Sequence, residues 1–305
     1  MTNEPKDNIP NNNQGMIFAE NAPRISEFRR FRRVFFSRKL VIFGLVIVLL
    51  LIVTAIFAPL LAPYDPYEPN MNEKLEMPSW RHLLGTDNVG RDILSRIIYG
   101  TRNSLMVGII AVAIAAGIGV TLGLIAGYTG GITFVIIMRL MDAMMTIPMI
   151  LLALVIATVL GGGLANIMIA LGIGLVPGYA RLMCGQTLTV KANDYIMAGR
   201  SMGAGNIRMM LRHILPNCLP PLIVMMTMML GMAILSEAGL SFLGIGIEAP
   251  GAAWGSMVST GYRYLLSNPY LSIAPGVAIM LVVFAFNMVG DGLRDALDPR
   301  LRGTL

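Results

Sequence analysis

Hydrophobic residues along this chain gather in long unbroken runs rather than alternating with polar ones. The first run, LVIFGLVIVLLLIVTAIFAPLL over 40–61, contains no charge. A helix rises about 1.5 Å per residue, so about 20 apolar residues cross the hydrocarbon of a bilayer. Six segments reach that length: 40–61, 103–126, 140–160, 164–182, 219–237 and 272–290. Only GGG at 161–163 separates the third from the fourth, which predicts a tight hairpin. The pattern predicts an all-α polytopic membrane protein with six transmembrane helices.

The segments between the runs differ in character. Residues 1–27, with NIPNNNQG, are polar and expected to be disordered. An amino-terminal region follows over 28–102, comprising the first span and a connecting loop. Just before that span, RISEFRRFRRVFFSRK (24–39) mixes arginine with phenylalanine. It reads either as a stop-transfer charge cluster or as a helix lying on an anionic leaflet. The remaining five spans form a core over 103–291, and 292–305 is a polar carboxyl tail. Two longer loops, 62–102 and 238–271, carry Pro, Gly, Tyr and Trp, which suits ordered surface structure.

Composition agrees with a membrane protein. The 305 residues are 55% hydrophobic and only 13% charged, against roughly 25% charged in soluble domains. The net charge of +6 does not indicate nucleic acid, because the basic residues sit at the ends of apolar runs. With the amino terminus in the cytoplasm, 17 of the 23 Lys and Arg residues fall inside. The positive-inside rule therefore predicts both termini, and the segment 194–217, on the cytoplasmic side. No cleavable signal peptide is expected, because the first run starts late and is too long.

Several chemistries are excluded. Cys184 and Cys218 give neither a disulfide framework nor metal-ligand spacing. The only histidines, His82 and His213, fall on opposite sides of the membrane by this topology. The chain has no GxxxxGK[ST] loop for ATP, no HExxH and no GxSxG. Asp142, Glu237 and Asp291 sit close to span ends, so no carboxylate lies at the midplane, where an ion-coupled carrier needs one. Energy for transport must come from elsewhere. Arg139 and Asp142, three apart, can pair on one helix face.

The segment DYIMAGRSMGAGNIRMMLRHILPN (194–217) is the most distinctive polar stretch. Ile196, Gly203, Ile207, Leu211 and Ile214 recur at helical steps, interrupted by Gly203, Ala204 and Gly205. Glycine inside a helix costs about 1 kcal/mol against alanine, so two short helices joined near 203–205 are expected. Asp194 is placed to cap the first of them. Ala198, Gly199 and Gly203 would admit the backbone of another protein, and Arg200, Arg208 and Arg212 would offer forks to its carboxylates. Pro216, Pro220 and Pro221 are expected to stop the pattern before the fifth span. Periodicity alone leaves open a helix lying on the membrane surface with its charges in water.

This stretch resembles the EAA loop of ABC-importer permeases, whose pattern is EAA, three residues, Gly, nine residues, then I-x-L-P. Met197, Ala198 and Gly199 stand at the EAA positions, Gly203 at the glycine, and His213-Ile214-Leu215-Pro216 at the end. Met197 replaces the glutamate and His213 the first isoleucine. The ending RHILPN is similar to that of the peptide-importer branch. LLGTDNVGRDILSRIIYGTRNSL (83–105), GLIAGYTGG (123–131), RLMDAMMTIPMILLAL (139–154), LSEAGLSFLGIG (235–246) and DGLRDALDPRLRG (291–303) resemble the C-type permease of dipeptide and oligopeptide importers. The likeness covers about 28–305.

The resemblance implies a type I ABC importer permease fold with cytoplasmic coupling helices, in the cytoplasmic membrane of a prokaryote. The chain would be a non-catalytic subunit. Its implied partners are a B-type permease, two nucleotide-binding ATPase subunits and an extracytoplasmic binding protein that delivers di- or oligopeptides. The chain itself would bind no cofactor or metal, with ATP and Mg on the ATPases. Asp194, Ala198, Gly199, Arg200, Gly203, Ala204, Arg208, His213 and Pro216 would form the ATPase-coupling loop. Trp254, Tyr262, Arg263 and Tyr264 would face the external partner. Nickel chelates, glutathione-like peptides and antimicrobial peptides are alternative cargoes. Outside this class stand an ion-coupled secondary carrier and a structural or sensory membrane subunit. Gly108, Ala115, Ala116, Gly117, Gly119, Gly123 and Gly127 suit close helix packing, Pro148 a bend in span three, and Met225, Met226, Met228 and Met229 core filling or an adaptable lining.

Overall fold

The computed structural model describes residues 27–247 and 250–297. The expectations for 1–26 and 298–305 lie outside the described residues. Five helices are long and apolar enough to cross a membrane: α2 (Lys39–Ile56), α4 (Ile93–Thr129), α7 (Leu164–Lys191), the continuous helical stretch Asn206–Phe242, and α12 (Tyr270–Leu297). α5 (Gly131–Met145) and α6 (Met149–Val159), bent by 91° at a short break, are together long and apolar enough to count as a sixth. Among the described residues the only β pairing is an isolated bridge between Thr86 and Asp92. Short helices α1 (Glu27–Phe35), α3 (Ala58–Leu61), α8 (Asp194–Ser201), α9 (Asn206–Arg208) and α11 (Trp254–Tyr262) occupy the connections. The last long helix of the 206–242 stretch is α10 (Leu215–Phe242).

Two elements depart from the hydropathy pattern. The helix expected from 103 starts at Ile93, capped by Asp92, whose carboxylate accepts the Ser95 N–H at 2.7 Å. Its 37 residues make a rod of about 55 Å, well beyond the ~30 Å hydrocarbon. The charges of RDILSR hide this extension from a hydropathy reading. The third span is not one helix over 140–160. It begins at Gly131 and breaks at Thr146–Pro148. Proline has no N–H to donate and forces the residue before it out of helical geometry, so the chain turns there.

The bundle is held by close backbone approach. A Cβ on Gly119 would lie 2.6 Å from the Tyr179 Cβ, and one on Gly127 2.7 Å from the Thr187 Cβ. A Cβ on Gly123, between them, would collide with the Ala180 carbonyl. These glycines, four apart, form one stripe of α4 pressed on α7, the arrangement that lets membrane helices gain dispersion contact without a hydrophobic driving force. Gly117 has nothing near it, and Gly108 faces Ile234 of α10 instead. Ala153 and Ala157 of α6 are buried in the same core. A second core gathers Ile93, Trp254, Leu271 and Phe286 at the opposite end of α4. Large side chains such as Phe43 and Leu50 on α2 point outward, as lipid-facing residues do.

Candidate functional site

The segment 194–216 lies beside the end of α4 that carries Thr129, remote from the second core. Asp194 is the first residue of α8, not its cap. Asn193 takes the cap position with extended backbone, and its side-chain amide donates back to the Val190 carbonyl at 3.0 Å, so no side chain caps α8. The Asp194 carboxylate therefore acts only through the positive end of the helix.

Ile196 anchors α8. It is fully buried in the main core with Met209, Ile214 and Cys218 of the following helix. Gly199 lies against Met209, whose Cε would stand 3.2 Å from an added Cβ. Gly203 ends the helix with φ +82°. Its N–H donates to the Arg200 carbonyl at 2.9 Å, and the Ala204 N–H to that of Gly199 at 3.1 Å. This pair of bonds is the Schellman closure, which needs a left-handed residue. No atom lies within 4 Å of a Gly203 Cβ, so backbone conformation rather than crowding selects glycine there.

After the turn the chain does not form a second separate helix. From Asn206 it runs without interruption to Phe242 through a π-helical turn, Met209–Ile214. Pro216 sits in the first turn of α10, and Pro220 and Pro221 lie inside that helix. The expected stop is absent: the helix continues through all three prolines, and the Asn217 side-chain amide donates to the His213 carbonyl at 2.6 Å. π turns commonly mark functional sites.

Tyr128, at the end of α4, ties these pieces together. Its hydroxyl donates to the Asn206 side-chain oxygen at 2.8 Å, and its carbonyl accepts from Lys191 Nζ at 2.6 Å. The Arg200 guanidinium lies 4.7 Å from its ring centroid, a cation–π contact. Arg200 is thus partly engaged within the chain. Tyr128, Lys191 and Asn206 lie too far apart in sequence for spacing to join them, and only the quoted GLIAGYTGG hinted at a constrained position.

The expected single stripe splits. Ile196 and Ile214 are buried, whereas Ile207 is 70% exposed, Leu211 56% and Met202 83%. Ile207, Leu211 and Ile214 all follow Gly203, and the π turn Met209–Ile214 carries Ile214 off the exposed face that Ile207 and Leu211 share. Ala198, Gly203, Arg208, Arg212 and Pro216 are exposed, while Ala204 and His213 are half-buried. Arg208 and Arg212 enter none of the ion pairs formed among the described residues. The elbow offers apolar side chains flanked by unpaired arginines.

At the other end, Trp254 cannot face a partner. It is 1% exposed and its indole N–H donates to the Ile97 carbonyl at 3.0 Å. Tyr262 and Arg263 are exposed and Tyr264 is half-buried in the second core. Sequence reasoning also missed a polar knot around α4. Arg96, 4% exposed, donates to the carbonyls of Pro66 (2.8 Å), Pro250 (3.2 Å) and Gly251 (3.1 Å) and lies 3.7 Å from Asp87. Asp87 also pairs with Arg91 at 2.8 Å, and His82 Nδ1 lies 2.9 Å from Asp92. Glu237 is buried in α10 and accepts from the Ser241 hydroxyl at 2.7 Å. Among the described residues no group of three His, Cys, Asp or Glu is placed to hold a metal ion.

Comparison with known proteins places these features in a family. Residues 119–303 match the model of the binding-protein-dependent transport system inner membrane component, and 26–78 the N-terminal transmembrane domain of oligopeptide transport permease C. The chain belongs to the binding-protein-dependent ABC permeases. It is 43% identical over 302 residues to the dipeptide transport system permease protein DppC of Alkalihalophilus pseudofirmus, covering 99% of this chain and 97% of that one. Identity is 42% with the di/tripeptide permease DppC of Pseudomonas aeruginosa, covering 91% of this chain and 93% of that one. It is 44% with the glutathione permease GsiD of Escherichia coli, covering 90% of each chain. The MetNI methionine ABC transporter in inward-facing conformations shares the fold. In one crystal form it gives a TM-score of 0.57 at 21% identity, covering 68% of this chain and 98% of that chain. This permease is a C-type, multi-pass inner-membrane protein of the type I fold, from a family whose members are generally non-catalytic and work with ATPase subunits and a binding protein.

Proposed function

We propose that this permease carries di- or oligopeptides inward as one half of a heterodimeric channel. In this reading a B-type permease completes the channel and a binding protein delivers the peptide to the Tyr262–Arg263 end. Two ATPase subunits, which hold the ATP and Mg, grip the 194–216 elbow. The observation that carries the coupling role is the exposed set Met202, Ile207 and Leu211 beside Arg208 and Arg212, mounted rigidly through Ile196 and Tyr128. A motor's push on α8 would pass directly into α10, because the helix from Asn206 enters the membrane unbroken. The distribution of Lys and Arg supports the cytoplasmic placement of this elbow and of both termini.

The test is Gly203→Val. A β-branched residue at φ +82° strains the turn by about 1–3 kcal/mol without touching the bundle. Membrane insertion is expected to persist while ATP-dependent dipeptide uptake by the reconstituted importer disappears. Wild-type uptake rates in that variant would remove the elbow from the mechanism. A second reading, glutathione as cargo, is favoured by the 44% identity to GsiD, and competition of labelled dipeptide by glutathione separates the two. Gradient-driven flux through the purified chain alone would point instead to a secondary carrier.

A further inference from the structure

Just before the first span, α1 turns two chemically different faces to its surroundings. Phe31 and Phe35, stacked at 5.6 Å, pack with Val41 of α2 and with Leu293 and Ala296 of α12. This fixes the rotation of α1 about its axis. Arg29, Arg32, Arg33 and Phe36 recur at steps of three and four on another face, and the helical bonding reaches Phe36, whose N–H donates to the Arg32 carbonyl at 3.1 Å. These four residues border a concavity of about 640 Å³. Arg38, just beyond α1, is bound to Asp295 of α12 at 3.0 Å. Arg32 and Arg33 enter none of the ion pairs formed among the described residues.

We propose that this concavity is a binding site for the headgroup of an anionic phospholipid. Only Phe36, Ser37 and Arg38 separate α1 from α2, so the site sits at the membrane surface, where lipid phosphates are dense. Guanidinium groups match phosphate oxygens in pairs. Phe36, 46% exposed and edge-on to Phe35 at 5.1 Å, supplies an apolar wall beside the cationic one. Together these suit a ligand whose charge continues into an acyl chain, and neither free phosphate nor an acidic protein surface needs that wall. A bound lipid would hold α1 against the end of α12, and through α12 would brace α10, which enters the 194–216 elbow. The site thus joins the lipid composition of the membrane to the coupling helix.

The experiment titrates the purified full-length chain in detergent with phosphatidylglycerol and, separately, phosphatidylcholine, scoring bound lipid by native mass spectrometry. Phosphatidylglycerol is expected to be retained selectively. The triple variant R29Q/R32Q/R33Q should weaken its retention by roughly two orders of magnitude, at about fivefold per arginine. R29K/R32K/R33K, which keeps the charge and loses the paired guanidinium geometry, should retain more than the glutamine variant and less than the unaltered protein, with the thermal melts of both variants unchanged. F36A should weaken phosphatidylglycerol and leave inorganic phosphate without effect as a competitor. Equal retention of the two lipids would overturn the proposal. So would an equal loss in the control R139Q/R208Q/R212Q, which signals diffuse charge. Displacement by millimolar inorganic phosphate, or retention only when the ATPase subunits are present, would assign the arginines to a free anion or to a protein surface instead.

Discussion

The two ends of α4 solve opposite problems. At the Ile93 end, charged groups are drawn inward. Arg96, Asp87, Asp92 and His82 are buried; Arg96 is held by Asp87 and by the carbonyls of Pro66, Pro250 and Gly251, and His82 Nδ1 lies 2.9 Å from Asp92. At the Thr129 end, apolar groups are pushed outward, with Met202, Ile207 and Leu211 exposed on an elbow that is itself firmly mounted. The first arrangement locks a cap onto the bundle, since a buried ion with all its partners is costly to separate. The second leaves apolar side chains uncovered, a feature of interaction surfaces and the basis of the coupling role proposed above. One end is closed on itself and the other leaves apolar side chains exposed.

The sharpest way to break the comparison is Arg96→Ala. It leaves the carbonyls of Pro66, Pro250 and Gly251 without their donor and Asp87 with Arg91 alone, and the expected loss is about 3–5 kcal/mol, at about 1–3 kcal/mol per orphaned buried group, read as a collapse of the thermal melt in detergent. A melt unchanged within about 1 kcal/mol would mean that the cap does not depend on the knot. Tyr128→Phe probes the other end more gently. It removes one hydroxyl bond worth about 1 kcal/mol, so hydrogen exchange over 194–208 should quicken severalfold while the α4–α7 contact stays protected. Equal quickening of both would show that Tyr128 supports the bundle rather than the elbow. Asp194→Ala should have the smallest effect. Without a cap bond, only the helix-end charge is lost, about 0.3–1 kcal/mol at low salt. Recovery of ATPase subunits in a pull-down should fall slightly at low salt and not at all at high salt. A large, salt-independent loss would mean that Asp194 touches the partner directly.

How much of this was legible varied with the physics involved. The long apolar helices followed from hydropathy, and the bend beside Pro148 from proline itself, which cannot continue the ladder. The glycines of α4 were recognisable as packing residues, but only the structure distinguished Gly119, Gly123 and Gly127, pressed on α7, from Gly117, which meets nothing. In the elbow, Gly203 was marked correctly as a break. The single apolar stripe was misassigned, because the π turn Met209–Ile214 shifts the helical register between Leu211 and Ile214. Trp254 was expected, from the family resemblance, to face an external partner, and it is buried because Gly100 leaves room for its indole, 2.7 Å from an added Cβ.

The amino-acid order by itself determined that this chain lives in lipid, where it bends and which segment differs in kind from the rest. Those properties depend on local hydrophobicity and backbone chemistry, which act over a few turns of helix. Tertiary structure alone decided that Tyr128 joins Lys191, Arg200 and Asn206, that Arg96 is a buried clasp rather than a solvated charge, and that Phe31 and Phe35 aim three arginines at one concavity. Each of these rests on groups distant in the chain and adjacent in space, and the energy of a polar or cationic group is set by what surrounds it rather than by its neighbours in sequence.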